Sequence, residues 1–441
     1  MSVLSLDDLR SRLPSVNFDE PFNALNAGGR SIGEYIVQWL PITFAILEST
    51  DVPSDFIVNF ARAGLRDKGL PFTQARLLKV SGLPDEFTED YRAGQALFLA
   101  VSFAPREYKV LSHYESVPFQ LVWRSPRLDG SFAVVEHVKE GNVSYARKTV
   151  DLALARSHLR ETQACIEREL AILRIVPNHP HLVKMRAAYT QEKKTVFVLS
   201  PWATTDLAAF FAKKETLDWW KQAVHANAVM PMIDSWCVCI ASALFTLHKA
   251  HIKHRDLKPE NVLLHKTDDA VIPVLCDYGL ERNYSGSSLS HKTVGAVMYG
   301  SPEQNTARKV GRKADVFSFG AILVELYALL GGIPMKKVRR FSNPSYAYSI
   351  MQGDNSALIS LFPSDTPAWL QRRSILAAAL SPEPEERPSS QEIWARLDAV
   401  APGSHCPIPP QLLSPLTDDG RLPADSSSDS DSDVEQAVRF G

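Results

Sequence analysis

The sequence predicts an α+β protein with a small β-rich part followed by a large helical part, both preceded by a helical N-terminal region. Three observations predict it. Apolar residues recur at three- and four-residue spacing through residues 1–115, the period of amphipathic helices. Between Pro118 and Leu199 the texture turns to short β-rich pieces around a single helical run. From Asp234 onward helical patterning returns, broken by two short apolar strands.

In chain order, Ser31 to Leu40 and Glu89 to Phe103 read as helices. Phe119 to Trp123, Phe132 to Val138, Ser144 to Val150 and Thr195 to Leu199 read as strands, with a helix over Ala153 to Ile175 between them. Val262–Leu264 and Val274–Cys276 are the two short strands of the large part. The boundaries expected are 1–115 for the leader, 116–199 and 203–397 for the small and large parts, and 398–441 for a tail. That tail ends in Asp425-Ser426-Ser427-Ser428-Asp429-Ser430-Asp431-Ser432-Asp433, which cannot bury enough apolar area to offset chain entropy and is expected to be disordered.

With 441 residues, 45% hydrophobic and 22% charged, the chain has the balance of a soluble globular protein of two to three domains. A net charge of −2 gives no drive toward nucleic acid or anionic membrane, so neither is expected as a partner. Five cysteines (Cys165, Cys237, Cys239, Cys276, Cys406) show neither a disulfide framework nor a metal-ligand spacing, which fits a reducing compartment, cytoplasm or nucleus. The N-terminus carries early acidic residues and lacks a secretory apolar core. The apolar stretch Ile36 to Leu47 is too short to span a bilayer.

Residues 254–261 read His-Arg-Asp-Leu-Lys-Pro-Glu-Asn, and Asp277-Tyr278-Gly279 begins sixteen positions after Asn261. Asp256 can accept a hydroxyl's proton, Lys258 can sit as a point charge near a phosphoryl group, and Asn261 with Asp277 offers the oxygen donors Mg²⁺ prefers. Phosphoryl transfer depends on that combination, because its transition state is stabilised mainly by positioning and charge neutralisation.

On these residues the chain is identified as a member of the eukaryotic protein kinases, and the resemblance, of the Ser/Thr type, covers roughly residues 116–397. It implies the bilobal kinase-like fold, ATP and Mg²⁺ as cofactors and proteins as substrates. Tyr145-Ala146-Arg147-Lys148 resembles the strand carrying the phosphate-anchoring lysine, here Lys148, and the run 168–173 resembles the helix whose glutamate, here Glu169, pairs with it. Val196 to Trp202 is similar to the strand and hinge against which adenine stacks. By that alignment Leu199 guards the back of the pocket, and Val135, Ala146 and Leu263 form its walls. Ser301-Pro302-Glu303 and Arg387 resemble a buried scaffolding ion pair, and Asp315 the aspartate that holds the catalytic loop, with an ordinary N-cap as the competing account. The layout of leader plus divergent kinase domain resembles uncharacterised kinases of filamentous fungi.

Three departures from the family pattern stand out. The three glycines of the phosphate-covering loop fall on Leu128, Gly130 and Ala133, and side chains at the outer positions limit how closely backbone approaches phosphate. Tyr278 replaces a phenylalanine, so a hydroxyl must find a partner. Ala296 stands where a positioning threonine is usual, which removes a hydrogen bond to the catalytic groups. The expected function is a Ser/Thr protein kinase of low activity; the alternative is a kinase-fold scaffold that binds nucleotide or a partner without turnover. The hydroxyl-rich stretch Tyr284 to Thr293 is a candidate phosphorylation segment read by Arg255. Cys276 reads as a small buried residue, with a reactive thiol as the other option. The leader matches no motif; it packs on the small lobe or binds a regulatory partner.

Overall fold

The computed structural model describes residues 4–21, 31–50, 52–80, 82–124, 133–155, 159–278, 298–305, 310–339 and 355–406. Leu128, Gly130, Gly279, the segment 284–293, Ala296 and most of the tail lie outside the described residues. The chain forms two compact units, one comprising residues 1–103, 109–120 and 189–192, the other 104–108, 121–188 and 193–441.

The first unit is built from α1 (Leu6–Arg12), α2 (Ile32–Trp39), α3 (Pro41–Glu48), α4 (Ile57–Arg62), α5 (Gln74–Leu77) and α6 (Asp85–Phe98). Ser5 and Ser31 start α1 and α2 with reciprocal capping boxes to Asp8 and Glu34, satisfying N–H groups that have no partner inside a helix. Leu40 cannot cap α3. Asp67 does so from a distance, accepting the N–H groups of Ile42 (2.6 Å) and Thr43 (3.0 Å). Phe44, Phe60, Phe72 and Tyr91 fill the centre of this core. The Gln95 side chain donates to Phe72 O and accepts from Phe72 N–H, so no polar group of that pair is stranded. The long early helix expected at Glu89 to Phe103 runs instead over Asp85–Phe98, because Pro84 fixes its start.

After strand β1 (Glu107–Leu111), the second unit uses β2 (Gln120–Arg124), β3 (Ala133–Glu140), β4 (Val143–Asp151), β5 (Lys184–Gln191) and β6 (Lys194–Ser200). These lie side by side in the order β5-β6-β4-β3-β2. A two-residue turn joins β3 to β4, and Gly141 supplies the positive φ (57°) it requires. β4 pairs antiparallel with both β3 and β6, which places Lys148 opposite Val135 on one side and Phe197 on the other. Helix α7 (Leu159–Ile175) buries Cys165, Ile166, Glu169, Ile172 and Leu173 on one stripe at helical spacing.

The helical remainder centres on α10 (Val229–Lys249), which buries one side of its length among apolar residues, and on the helix Arg312–Leu330, which is almost wholly buried. Helix α10 is long and apolar enough to cross a membrane by length and composition, but over half of its apolar window is buried in this core. A small sheet of β7 (Thr205–Asp206), β8 (Val262–Lys266) and β9 (Val271–Leu275) lies between the two candidate loops. The β-rich lobe, the helical lobe and the helical N-terminal region match the α+β bilobal expectation. Two strands, β1 and β5, escaped the sequence reading: Lys184-Met185-Arg186-Ala187-Ala188 has no β-branched run and no clean alternation, yet the sheet recruits it.

Candidate active site

Strand β4 alternates its side chains, so Ala146 and Lys148 share one face of the sheet with Val135 and His137, their neighbours across the β3 register. Lys148 donates from Nζ to Glu169 Oε1 at 2.8 Å and reaches Asp277 Oδ1 at 3.2 Å. Three elements distant in sequence therefore meet at one ammonium. Burial works against the charge on Lys148, but Asp277 and Glu169 outweigh it and hold the ammonium well above its usual range. Lys148 in turn holds the Asp277 carboxyl below the usual carboxylate range against the opposing effect of burial. Glu169 and Lys148 are 5% and 13% exposed, whereas Asp277 is 42% exposed and faces the cleft.

The loop 254–261 is fixed from beneath. Asp315 accepts the backbone N–H groups of His254 (2.7 Å) and Arg255 (2.8 Å), and also meets His248 Nε2 at 2.9 Å. Its helix is preceded by Gly311 without a side-chain cap, so Asp315 acts on the loop and is not an N-cap. Arg255 stands at φ 68° and Asp277 at φ 54°, conformations that non-glycine residues adopt only when their surroundings enforce them.

Within the loop, Lys258 Nζ donates to Asp256 Oδ2 at 2.6 Å. Asn261 donates its amide to Asp256 O (2.7 Å) and Oδ2 (3.2 Å). Spending the NH₂ there leaves the Asn261 amide oxygen as an acceptor. Among the described residues Lys148 engages one Asp277 oxygen, and the Asp277 carboxylate with the Asn261 amide oxygen offers the hard oxygen donors that fit Mg²⁺. Asn261 O also accepts the Cys276 N–H at 3.1 Å, tying the loop to the residue before Asp277.

Of the expected pocket walls, Ala146 pairs with Leu199 in the β4–β6 register, and Leu263 lies on β8 opposite Val274 and Asp206. Val135 is 41% exposed, an apolar side chain presented to open space. Gly130 and Leu128 fall outside the described residues. The Tyr278 hydroxyl finds its partner in Val183 O, and its ring stands edge-on to His254. Burial pushes the Cys276 thiol well up, and its Sγ lies 3.5 Å from Asn261 O. Glu303 and Arg387 form a buried bidentate pair at 2.6 and 2.9 Å, with Arg387 also donating to Ser381 O and Pro382 O.

Two features were not singled out from the sequence. Trp202 stacks on His137 at 4.6 Å between centroids and 5° between planes, adding an aromatic surface on the face that carries Val135 and Ala146. Asp206, opposite Leu263, caps α8 (Leu207–Lys213) by accepting the Ala209 N–H at 2.8 Å. An aromatic residue just after a strand and an aspartate before an apolar helical run were the available signals.

A family model described as the protein kinase domain matches residues 129–396. Serine/threonine-protein kinase ULK3 of Rattus norvegicus is 28% identical over 290 residues, covering 62% of this chain and 55% of the relative. Serine/threonine-protein kinase 36 of Pongo abelii is 30% identical over 269 residues, 59% of this chain and 18% of the relative. Death-associated protein kinase dapk-1 of Caenorhabditis elegans is 28% identical over 225 residues, 50% and 15% respectively. The chain thus spans about half, or less, of the length of these curated relatives.

Proposed function

Because the chain belongs to the eukaryotic protein kinase superfamily, we propose that it transfers the γ-phosphoryl group of ATP to serine or threonine hydroxyls of protein substrates, with Mg²⁺ as cofactor. The observation that carries this reading is the meeting of Lys148, Glu169 and Asp277 at one ammonium, beside a loop that holds Asp256 against Lys258 and Asn261. Asp256 orients the substrate hydroxyl and takes its proton as the new oxygen–phosphorus bond forms and the bond to the leaving ADP oxygen breaks. Lys258, 2.6 Å from Asp256, places positive charge beside the transferring group, and Lys148, steadied by Glu169, anchors the nucleotide phosphates. Asn261 and Asp277 would hold Mg²⁺, which would supply positive charge to offset that of the nucleotide phosphates. Leu199, Ala146, Val135 and Leu263 enclose the adenine.

Lys258 two positions after Asp256, together with the named Ser/Thr kinases among the relatives, supports hydroxyl substrates of the serine and threonine class. Cytoplasm or nucleus is the expected location, and the helical first unit is the candidate docking region for a regulatory partner. A scaffold that binds nucleotide without turnover is the second reading, favoured by Ala133, whose methyl opens β3 where the family carries glycine. Incubation with Mg-ATP labelled at the γ-position and a generic basic protein, followed by phosphoamino-acid analysis, separates the readings. Label on serine or threonine supports the enzyme. A melting temperature raised by Mg-ATP with no label above Lys148→Met supports the scaffold.

A further inference from the structure

Three potential metal ligands that the candidate site does not use converge from segments that the sequence keeps 58 and 167 residues apart. His181 precedes β5, Cys239 lies in α10, and Cys406 follows the helix Ser390–Val400. All three are buried, and their candidate ligand atoms lie within 4.8 Å of one another. We infer that His181, Cys239 and Cys406 form a structural site for a soft divalent cation of the zinc class, which fastens the segment after the last helix to the core of the kinase domain.

The ring of His181 is already set for ligation. Its Nδ1 lies 2.7 Å from Pro273 O, and a carbonyl can only accept, so Nδ1 carries the proton and Nε2 keeps its lone pair. An outer hydrogen bond to a backbone carbonyl is the usual device that fixes the tautomer of a metal-bound histidine. Pro273 and His181 are themselves held in place, since His181 O accepts the Leu275 N–H and Leu275 O accepts the Val183 N–H, both at 2.9 Å.

The sulfurs are set as well. The Cys406 backbone N–H points at Cys239 Sγ (3.3 Å), a contact that favours a thiolate. Two thiolates and a neutral imidazole around a divalent cation make a complex with no net charge, the form of such a cluster that a buried site accommodates at least cost. A tetrahedral ion with Zn–S of about 2.3 Å separates two sulfurs by about 3.8 Å, which fits ligand atoms that all lie within 4.8 Å of one another. Three protein ligands leave the fourth vertex of a tetrahedral ion to a water. Gly403, at φ 70°, makes the turn that returns Cys406 to the core.

The test uses the full chain, purified under reducing conditions and incubated with excess zinc before desalting, with elemental analysis of the product. About one zinc per chain is expected, and both Cys406→Ser and His181→Asn should fall to a small fraction of that. Cobalt loading should give the intense visible bands and near-ultraviolet thiolate charge transfer of a tetrahedral sulfur site, absent in Cys406→Ser. Should the variants fail to fold, the wild type decides alone: a chelator lowers its melting temperature and zinc restores it. Folded, fully reduced wild type that retains no stoichiometric zinc overturns the inference, as does a mass lighter by two hydrogens from a Cys239–Cys406 disulfide together with no zinc uptake after reduction.

Discussion

Replacing Asp315 by asparagine tests whether the catalytic loop is held by this one carboxylate. In the native chain Oδ1 accepts the Arg255 N–H at 2.8 Å, while Oδ2 accepts the His254 N–H at 2.7 Å and meets His248 at 2.9 Å. Asparagine keeps one oxygen. If that oxygen faces His254, the Arg255 N–H confronts an NH₂ group; if it faces Arg255, the His254 N–H does. Either way one backbone donor in a site only 2% exposed loses its acceptor, at about 1–3 kcal/mol, and the surviving bonds lose the strengthening of an ionised acceptor. The expected destabilisation is therefore about 2–4 kcal/mol, read from urea unfolding of the kinase domain. Phosphotransfer per folded molecule should fall as well, because Arg255 at φ 68° loses what enforces its conformation and Asp256 moves with it. A change within about 0.5 kcal/mol, with activity retained, would refute the claim that Asp315 holds the loop.

Arg387→Met should cost about 3–5 kcal/mol by leaving the Glu303 carboxylate buried without its bidentate partner; a loss under about 1 kcal/mol in thermal or urea unfolding would contradict this. The Glu303 carboxyl is buried, which opposes ionisation, but the bonds from Arg387 lower it overall. Its folded value lies below its unfolded one, so its contribution is complete above about pH 4.3 and is lost as pH falls through the folded value. Glu303→Gln should accordingly flatten the acid limb of stability against pH, and an unchanged limb would show that other groups control it. Tyr278→Phe removes the donor to Val183 O and should lower stability by about 1 kcal/mol while phosphotransfer persists; abolished transfer in a folded variant would assign the hydroxyl a larger role than packing.

The chemistry of the site was legible because it sits in two short runs. His254 to Asn261 and Asp277-Tyr278 carry their own spacing, and Glu303 with Arg387 is legible through its resemblance to the family's scaffolding ion pair. What joins them was less visible. Asp315 resembles the aspartate that holds the catalytic loop, and the competing N-cap account falls only because its helix begins at Arg312 with Gly311 before it. β5 lacked β-branched residues and alternation, so tertiary pairing overrode a weak local preference. The stack of Trp202 on His137 arises from the way the hinge folds back over β3, which no periodicity encodes. The cysteines carry no close metal-ligand spacing, because the fold gathers His181, Cys239 and Cys406 from three remote segments.

The most direct test of the central claim is the initial rate of γ-phosphate transfer to a protein substrate by wild type, Asp256→Asn and Lys148→Met, each shown to be folded. A general base contributes on the order of a hundredfold or more, so wild type should exceed Asp256→Asn by at least about that factor, with Lys148→Met similarly impaired. Equal rates in all three, while Mg-ATP still raises the melting temperature of the wild type, would contradict the assignment of catalysis to this site.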